Sequence, residues 1–277
     1  MSVSRWASRL LVMVAAPALL VPVEAAPAVP AEGPALSLGT TGARSVVPAA
    51  ARTAGAARRP AVLERRVIGR TRRDRPIVAY RVGDPGARRT AVVMAAMHGD
   101  ERKTRVIVKA LRDGRPIDGV DLWLIPTANP DGVRARTRGN ARGVDLNRNF
   151  PYAWVRTPRG TSTWSGPRPK SEPETRALIR FLRRTDPDQV VSFHQPLYGI
   201  DTSGTGNRKL ARRLARFLKL PRKEFSCGSG CHGTMSQWFN HRIDGALVTV
   251  ELGRHPSKRY LRTTGPRGVL RALRATR

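Results

Sequence analysis

The chain has 277 residues, 40% of them apolar, which is enough for one sizeable domain with its own core. Its formal charge is +31, carried by seven lysines and 44 arginines spread evenly along the sequence. Only 5% of residues are aromatic, so stacking platforms for single strands are scarce. No specific nucleic-acid partner is expected, and the charge suits anionic cell-wall polymers instead. No apolar run reaches the ~18 to 20 residues of a membrane span.

Residues 1–26 have the pattern of a signal peptide. Arg5 and Arg9 precede an apolar stretch over 10–23, and Ala25 and Ala26 offer small residues for cleavage. Export through the general secretory route is expected, with an extracellular or wall-associated bacterial location. Residues 27–61 are rich in Ala, Pro, Gly and Arg without apolar periodicity, which predicts a disordered linker or pro-segment. Residues 62–277 are expected to form the folded domain.

Within that domain, apolar pairs at 67–68 and 77–80 flank a polar stretch and predict a hairpin. An apolar run over 91–97 predicts a buried strand, and 102–111 a helix stopped by Asp113-Gly114. A second buried strand follows at 120–126. Ser171 with Glu174 three residues on predicts a capping box, with Pro173 in the first turn, for a helix to about residue 184. Strands at 189–193 and 246–250 alternate with helices at 207–220 and 233–242, and a helix closes the chain from 267. This alternation predicts an α/β fold: a single domain with a mixed, largely parallel twisted sheet and helices on both faces.

The chemistry collects where these strands end. His98-Gly99-Asp100-Glu101 closes the 91–97 run and sets an imidazole and a carboxylate three residues apart. Alone it is a weak signal. His194 ends another apolar strand, and ligands in open α/β sheets gather at the carboxyl ends of strands. Two His and one Glu leave a fourth position open on one Zn2+ ion, as in a catalytic site. Glu251 ends a third apolar strand. A carboxylate there is costly without a task or a partner, and it is the candidate general base. The structural alternative is an ion pair with one of the many arginines. Cys227 and Cys231, the only cysteines, predict a short disulfide in an exported protein. Free thiols, or a metal site with His232, are the alternatives.

Further motifs lie between these points. They are Asn129-Pro130-Asp131-Gly132, Gly143-Val144-Asp145-Leu146-Asn147-Arg148-Asn149 and Ser171-Glu172-Pro173-Glu174. With His98-x-x-Glu101, His194 and Glu251 in that order, residues 62–277 resemble the zinc metallocarboxypeptidase family, the carboxypeptidase A-like peptidases. The resemblance implies a carboxypeptidase-like fold and a hydrolase, and a monomer is expected. It implies that Asn147 and Arg148 hold the substrate's terminal carboxylate. It also implies an upstream arginine that stabilises the oxyanion. Arg138 is the choice, with Arg134 and Arg136 as alternatives. Asp145 is expected to be structural, or to orient a histidine.

Digestive members carry a tyrosine on a loop ahead of the catalytic glutamate, whereas residues 227–242 contain none. The chain is more similar to the bacterial murein peptide amidase A branch, which implies cleavage of the γ-D-glutamyl–diaminopimelate bond of peptidoglycan peptides. A carboxypeptidase for ordinary peptides is the first rival. A zinc deacylase of the aspartoacylase type is disfavoured by Asn147-Arg148, and an inactive wall-binding homologue by the full set of ligands and base.

Overall fold

The computed structural model describes residues 60–203, 208–225 and 231–277. The expected signal peptide, the linker as far as residue 59, and Cys227 lie outside the described residues.

Eight strands form one mixed sheet. β1 (Glu64–Arg70) and β2 (Pro76–Arg81) are the expected hairpin. β3 (Thr90–Ala95), β4 (Asp121–Ile125), β5 (Gln189–His194) and β8 (Ala246–Gly253) make a parallel centre. β6 (Leu197–Asp201) runs antiparallel to β8, and the short β7 (Arg222–Lys223) completes the edge. The order is β1-β2-β4-β3-β5-β8-β6-β7.

The central strands have interior residues on both faces, which explains their near-continuous apolar runs. In β3, Ala91, Val93 and Ala95 enter one core layer, while Val92 and Met94 enter the other. The first layer is covered by α1 (Thr104–Arg112), α4 (Arg208–Leu218) and α6 (Gly265–Leu273), the second by α3 (Pro173–Thr185) and α5 (Met235–Arg242). Helix α4 shows the cause: Leu210, Ala211, Leu214 and Leu218 form its buried stripe, with Arg212 and Arg216 outside. Each fully buried leucine contributes roughly 1.5–3 kcal/mol.

Chain direction in the sheet positions the site. From β3 the chain crosses to β4 on one side, and later returns to place β5 on the other side of β3. Such a reversal opens a crevice beyond the carboxyl ends of β3 and β5.

One local expectation is corrected. Ser171 does not cap α3: the N-cap is Glu172, without a side-chain cap bond. Ser171 Oγ donates to Glu172 Oε1 instead (2.7 Å), and Asn140 Nδ2 donates to both Glu172 Oε2 (2.8 Å) and Glu174 Oε2 (3.1 Å). Burial of these carboxylates makes their tertiary partners outweigh a local cap. The capping box occurs at α5, between Thr234 and Gln237. The short helix α2 (Pro130–Ala135) and strand β6 are additions to the expected elements.

Candidate active site

His98 and Glu101 lie just past β3, where Ala96 takes a left-handed φ of 53° and turns the chain out of the sheet. This loop is clamped by the Asn129 motif. Asn129 Nδ2 donates to Met97 O and Gly139 O (3.2 Å each), its Oδ1 accepts from Gly132 N (2.9 Å), and Gly99 N donates to Arg138 O (3.3 Å). Gly99 packs so closely on the Gly132 backbone that a Cβ would overlap it. That contact explains the glycine inside His98-x-x-Glu101.

His194 ends β5 and is in register with Glu251 on β8. The four expected groups therefore converge. His98 Nδ1 lies 2.7 Å from Glu101 Oε1 and 3.3 Å from His194 Nδ1, and His194 Nδ1 lies 3.1 Å from Glu101 Oε2. All three residues are buried. Buried Glu101 Oε2 makes no hydrogen bond of good geometry, its 3.1 Å contact being with His194 Nδ1.

This donor set fits a metal ion. Zinc bonds of about 2.0–2.1 Å at tetrahedral angles put donor atoms about 3.3 Å apart, so only the His98–Glu101 contact must open. An ion would also satisfy the orphaned Glu101 oxygen. Each histidine's second nitrogen is engaged, as ligating imidazoles require: His98 Nε2 with Asp145 Oδ1 (3.0 Å), His194 Nε2 with Ser192 Oγ (3.1 Å).

Without an ion, burial opposes charge on His98, but the Asp145 and Glu101 carboxylates outweigh it and raise its pKa to about 9. Burial likewise opposes ionisation of Glu101, but the two imidazoles hold its carboxyl down at about 2. Asp145 is buried too, and His98, Arg138 and Arg148 keep it well below the usual carboxylate range.

Asp145 joins more groups than expected of it. Its Oδ1 also accepts from Asn147 N (2.9 Å), capping the 3-10 turn Leu146–Arg148, and its Oδ2 accepts from Arg138 Nη2 (2.8 Å) and Nε (3.1 Å). Arg138 Nη1 reaches the centre, 3.3 Å from His98 Nδ1 and 3.9 Å from Glu101 Oε1. Arg134 and Arg136 are exposed and do not line this cavity, so placement singles out Arg138 among the three.

A cavity of about 420 Å³ holds His98, Glu101, His194, Arg138, Asn147, Arg148 and Glu251 together. Asn147 Oδ1 accepts from Met235 N (2.9 Å), which leaves the side-chain amide as a donor. Glu251 Oε2 accepts from Leu197 N (3.3 Å), and burial pushes its carboxyl up, with Glu101 acting the same way against His194. Among the described residues no arginine or lysine pairs with Glu251, so the ion-pair alternative has no partner. Cys231, disulfide-bonded and partly buried, lines the same cavity. Ser192 and Asp201 were not among the expected site residues. Strand period points to Ser192, two positions before His194 on the same face.

The description of zinc carboxypeptidases, the M14 peptidases, matches residues 52–197. Murein peptide amidase A of Escherichia coli strain K12 is 35% identical over 165 residues, covering 55% of this chain and 66% of that protein. The chain thus spans about two thirds of that curated relative. The crystal structure of murein-tripeptide amidase MpaA from Escherichia coli O157 matches with a TM-score of 0.63 at 30% identity, over 75% of this chain and 91% of that one. Carboxypeptidase A from Helicoverpa armigera matches with a TM-score of 0.66 at 17% identity, over 78% of this chain and 68% of that one, a likeness of fold. The chain belongs to the zinc carboxypeptidase family and is a hydrolase of the peptidase and amidase type.

Proposed function

We propose that the protein is an exported hydrolase that removes the C-terminal residue of peptidoglycan peptides, cutting the γ-D-glutamyl–diaminopimelate bond. One zinc ion would be held by His98, Glu101 and His194. The carrying observation is the convergence of these donors, with Glu251, Asn147 and Arg148, in one cavity.

Zinc, when bound, supplies Lewis acidity and brings the pKa of a water ligand to roughly 7. Asn147 and the planar Arg148 fork hold the terminal carboxylate, which fixes the scissile amide over the donors. Glu251 takes a proton from the attacking water as the water oxygen bonds the carbonyl carbon. It returns that proton to the leaving nitrogen as the carbon–nitrogen bond breaks. Arg138, steadied by Asp145, donates from Nη1 to the carbonyl oxygen as charge develops there.

The murein peptide amidase relatives support the wall substrate, as does the missing loop tyrosine. The apolar N-terminal stretch after Arg5 and Arg9 supports export, and the +31 charge supports adhesion to anionic wall polymers.

Liquid chromatography of digests tests the substrate. Zinc-loaded enzyme should release diaminopimelate from L-Ala-γ-D-Glu-diaminopimelate faster than it cuts hippuryl peptides. An uncut tripeptide beside cleaved hippuryl peptides would favour the ordinary carboxypeptidase.

A further inference from the structure

A cavity of about 540 Å³ is lined by residues of α1, α2 and β2 and shares none of them with the cavity that holds His98 and Glu251. Five cations line it, Arg75, Arg105, Lys109, Arg112 and Arg134, and among the described residues no carboxylate does.

Helical spacing sets the arrangement. Arg105, Lys109 and Arg112 follow at steps of four and three along α1, which stacks them on one face. They span seven residues, about 10 Å of helix. Arg134 in α2 and Arg75 just ahead of β2 supply the other side.

Local electrostatics account for only some of these charges. Arg75 pairs with Asp131 and Arg112 with Asp113, whereas Arg105, Lys109 and Arg134 pair with no carboxylate among the described residues. Lys109 and Arg112 stand in the last turn of α1, where cations suit the helix dipole. Arg105 stands in the first turn, where the dipole disfavours a cation. It is also four residues from Lys109, a like-charge pair that costs further stability. Its Nε is buried with no hydrogen-bond partner. Burial pushes its guanidinium below the usual arginine range, and nearby Arg102 acts the same way. An anion in the cavity offsets each of these costs. A second basic cavity, beside Arg267 and Arg271, differs in this respect, because its half-buried Arg277 already donates to Ala110 O and Leu111 O.

The length of the α1 row exceeds a single phosphate and suits two or three anionic groups on one chain. Guanidinium forks match phosphate oxygens. Tyr80 is the one aromatic lining residue, and Arg112 lies 5.0 Å over its ring. Stacking surface for bases is therefore scarce, which favours a polyol backbone over a nucleic acid.

We infer that this cavity docks a flexible polyol-phosphate chain, with Arg105, Lys109 and Arg134 as its phosphate contacts. An occupant leaves the cavity of His98 and Glu251 open, so the site tethers the protein without blocking it. The inference locates the contact at one cavity, beyond the general effect of net charge, and it does not depend on the proposed hydrolysis.

The test is fluorescence anisotropy with a dye-labelled glycerol phosphate oligomer, in about 0.15 M salt to screen long-range attraction. Zinc-loaded wild type is compared with Lys109→Gln/Arg134→Gln, which takes one exposed cation from each side. The control is Arg267→Gln/Arg271→Gln, which removes the same charge from exposed positions at the other basic cavity. The first variant should weaken binding by about 10-fold, the range for two partly exposed charge contacts. The control should stay within about twofold. Equal melting temperatures of the three proteins report an intact fold.

Equal weakening in both variants would reduce the effect to net charge and overturn the inference. So would unchanged binding in Lys109→Gln/Arg134→Gln. Unlabelled oligothymidylate of the same phosphate number should compete less well than the unlabelled glycerol phosphate oligomer. Stronger competition by it, lost in the same variant, would make the site a nucleic-acid groove and overturn the polyol assignment.

Discussion

Asp145 Oδ1 sits 3.0 Å from His98 Nε2, and the same buried carboxylate holds the Arg138 guanidinium and the turn carrying Asn147 and Arg148. One side chain thus aligns a proposed zinc ligand, the proposed oxyanion donor and the proposed carboxylate clamp. Asp145→Asn keeps the shape but removes the charge. Zinc affinity should fall by about 10- to 100-fold, measured by competition with a chelator. kcat/KM at saturating zinc should fall as well, because Arg138 loses its paired acceptor.

Glu251→Gln should keep a full complement of zinc and lose about 10²- to 10⁴-fold in kcat. Glutamine retains the size of the side chain and cannot take a proton. Steady-state kinetics beside metal analysis gives the result, and full activity would remove Glu251 as the base.

Arg138→Ala should cost about 10²- to 10³-fold in kcat, the range for a lost oxyanion donor. Arg134→Ala and Arg136→Ala, both on exposed positions, should stay near wild type. Parallel kinetics on the three variants decides between them.

Protons and metal should compete at the centre. In the metal-free protein His98 is raised from 6.5 to about 9, so its contribution to stability is complete below 6.5 and fades as pH rises through 9. Glu101 is lowered from 4.5 to about 2, so its contribution is complete above 4.5 and fades as pH falls through 2. For these two groups the metal-free protein should be most stable between about 4.5 and 6.5. Zinc affinity should run the other way, rising up to about pH 9 as the His98 proton is released. Melting curves of the metal-free protein and zinc titrations across that range measure both slopes.

Gly99→Ala should destabilise the His98 loop, because its Cβ would overlap the Gly132 backbone. Overpacking of this kind costs about 1–3 kcal/mol. Denaturant unfolding should show that loss together with weaker zinc binding.

The convergence of His98, His194 and Glu251, among the proposed metal donors and base, is legible in the sequence because the apolar runs leading to them define strands. The carboxyl ends of neighbouring parallel strands necessarily meet. Asp145 is harder to read, since its partners at His98 and Arg138 are joined only by tertiary folding. Ser171 and Glu174 satisfy a local capping rule that the buried Asn140–Glu172–Glu174 contacts override. Asp201 stands in Gly-Ile-Asp-Thr-Ser, which resembles a turn, and only the pairing of β6 with β8 brings it to the cavity. The helix over 130–135 is hidden by its Pro and Gly.

Zinc-edge X-ray absorption on the loaded protein tests the central claim most directly. The account predicts one ion bound only by nitrogen and oxygen at about 2.0–2.1 Å, with two imidazoles in the outer scattering. A sulfur shell at about 2.3 Å would move the metal to a cysteine site and contradict the centre built on His98, Glu101 and His194.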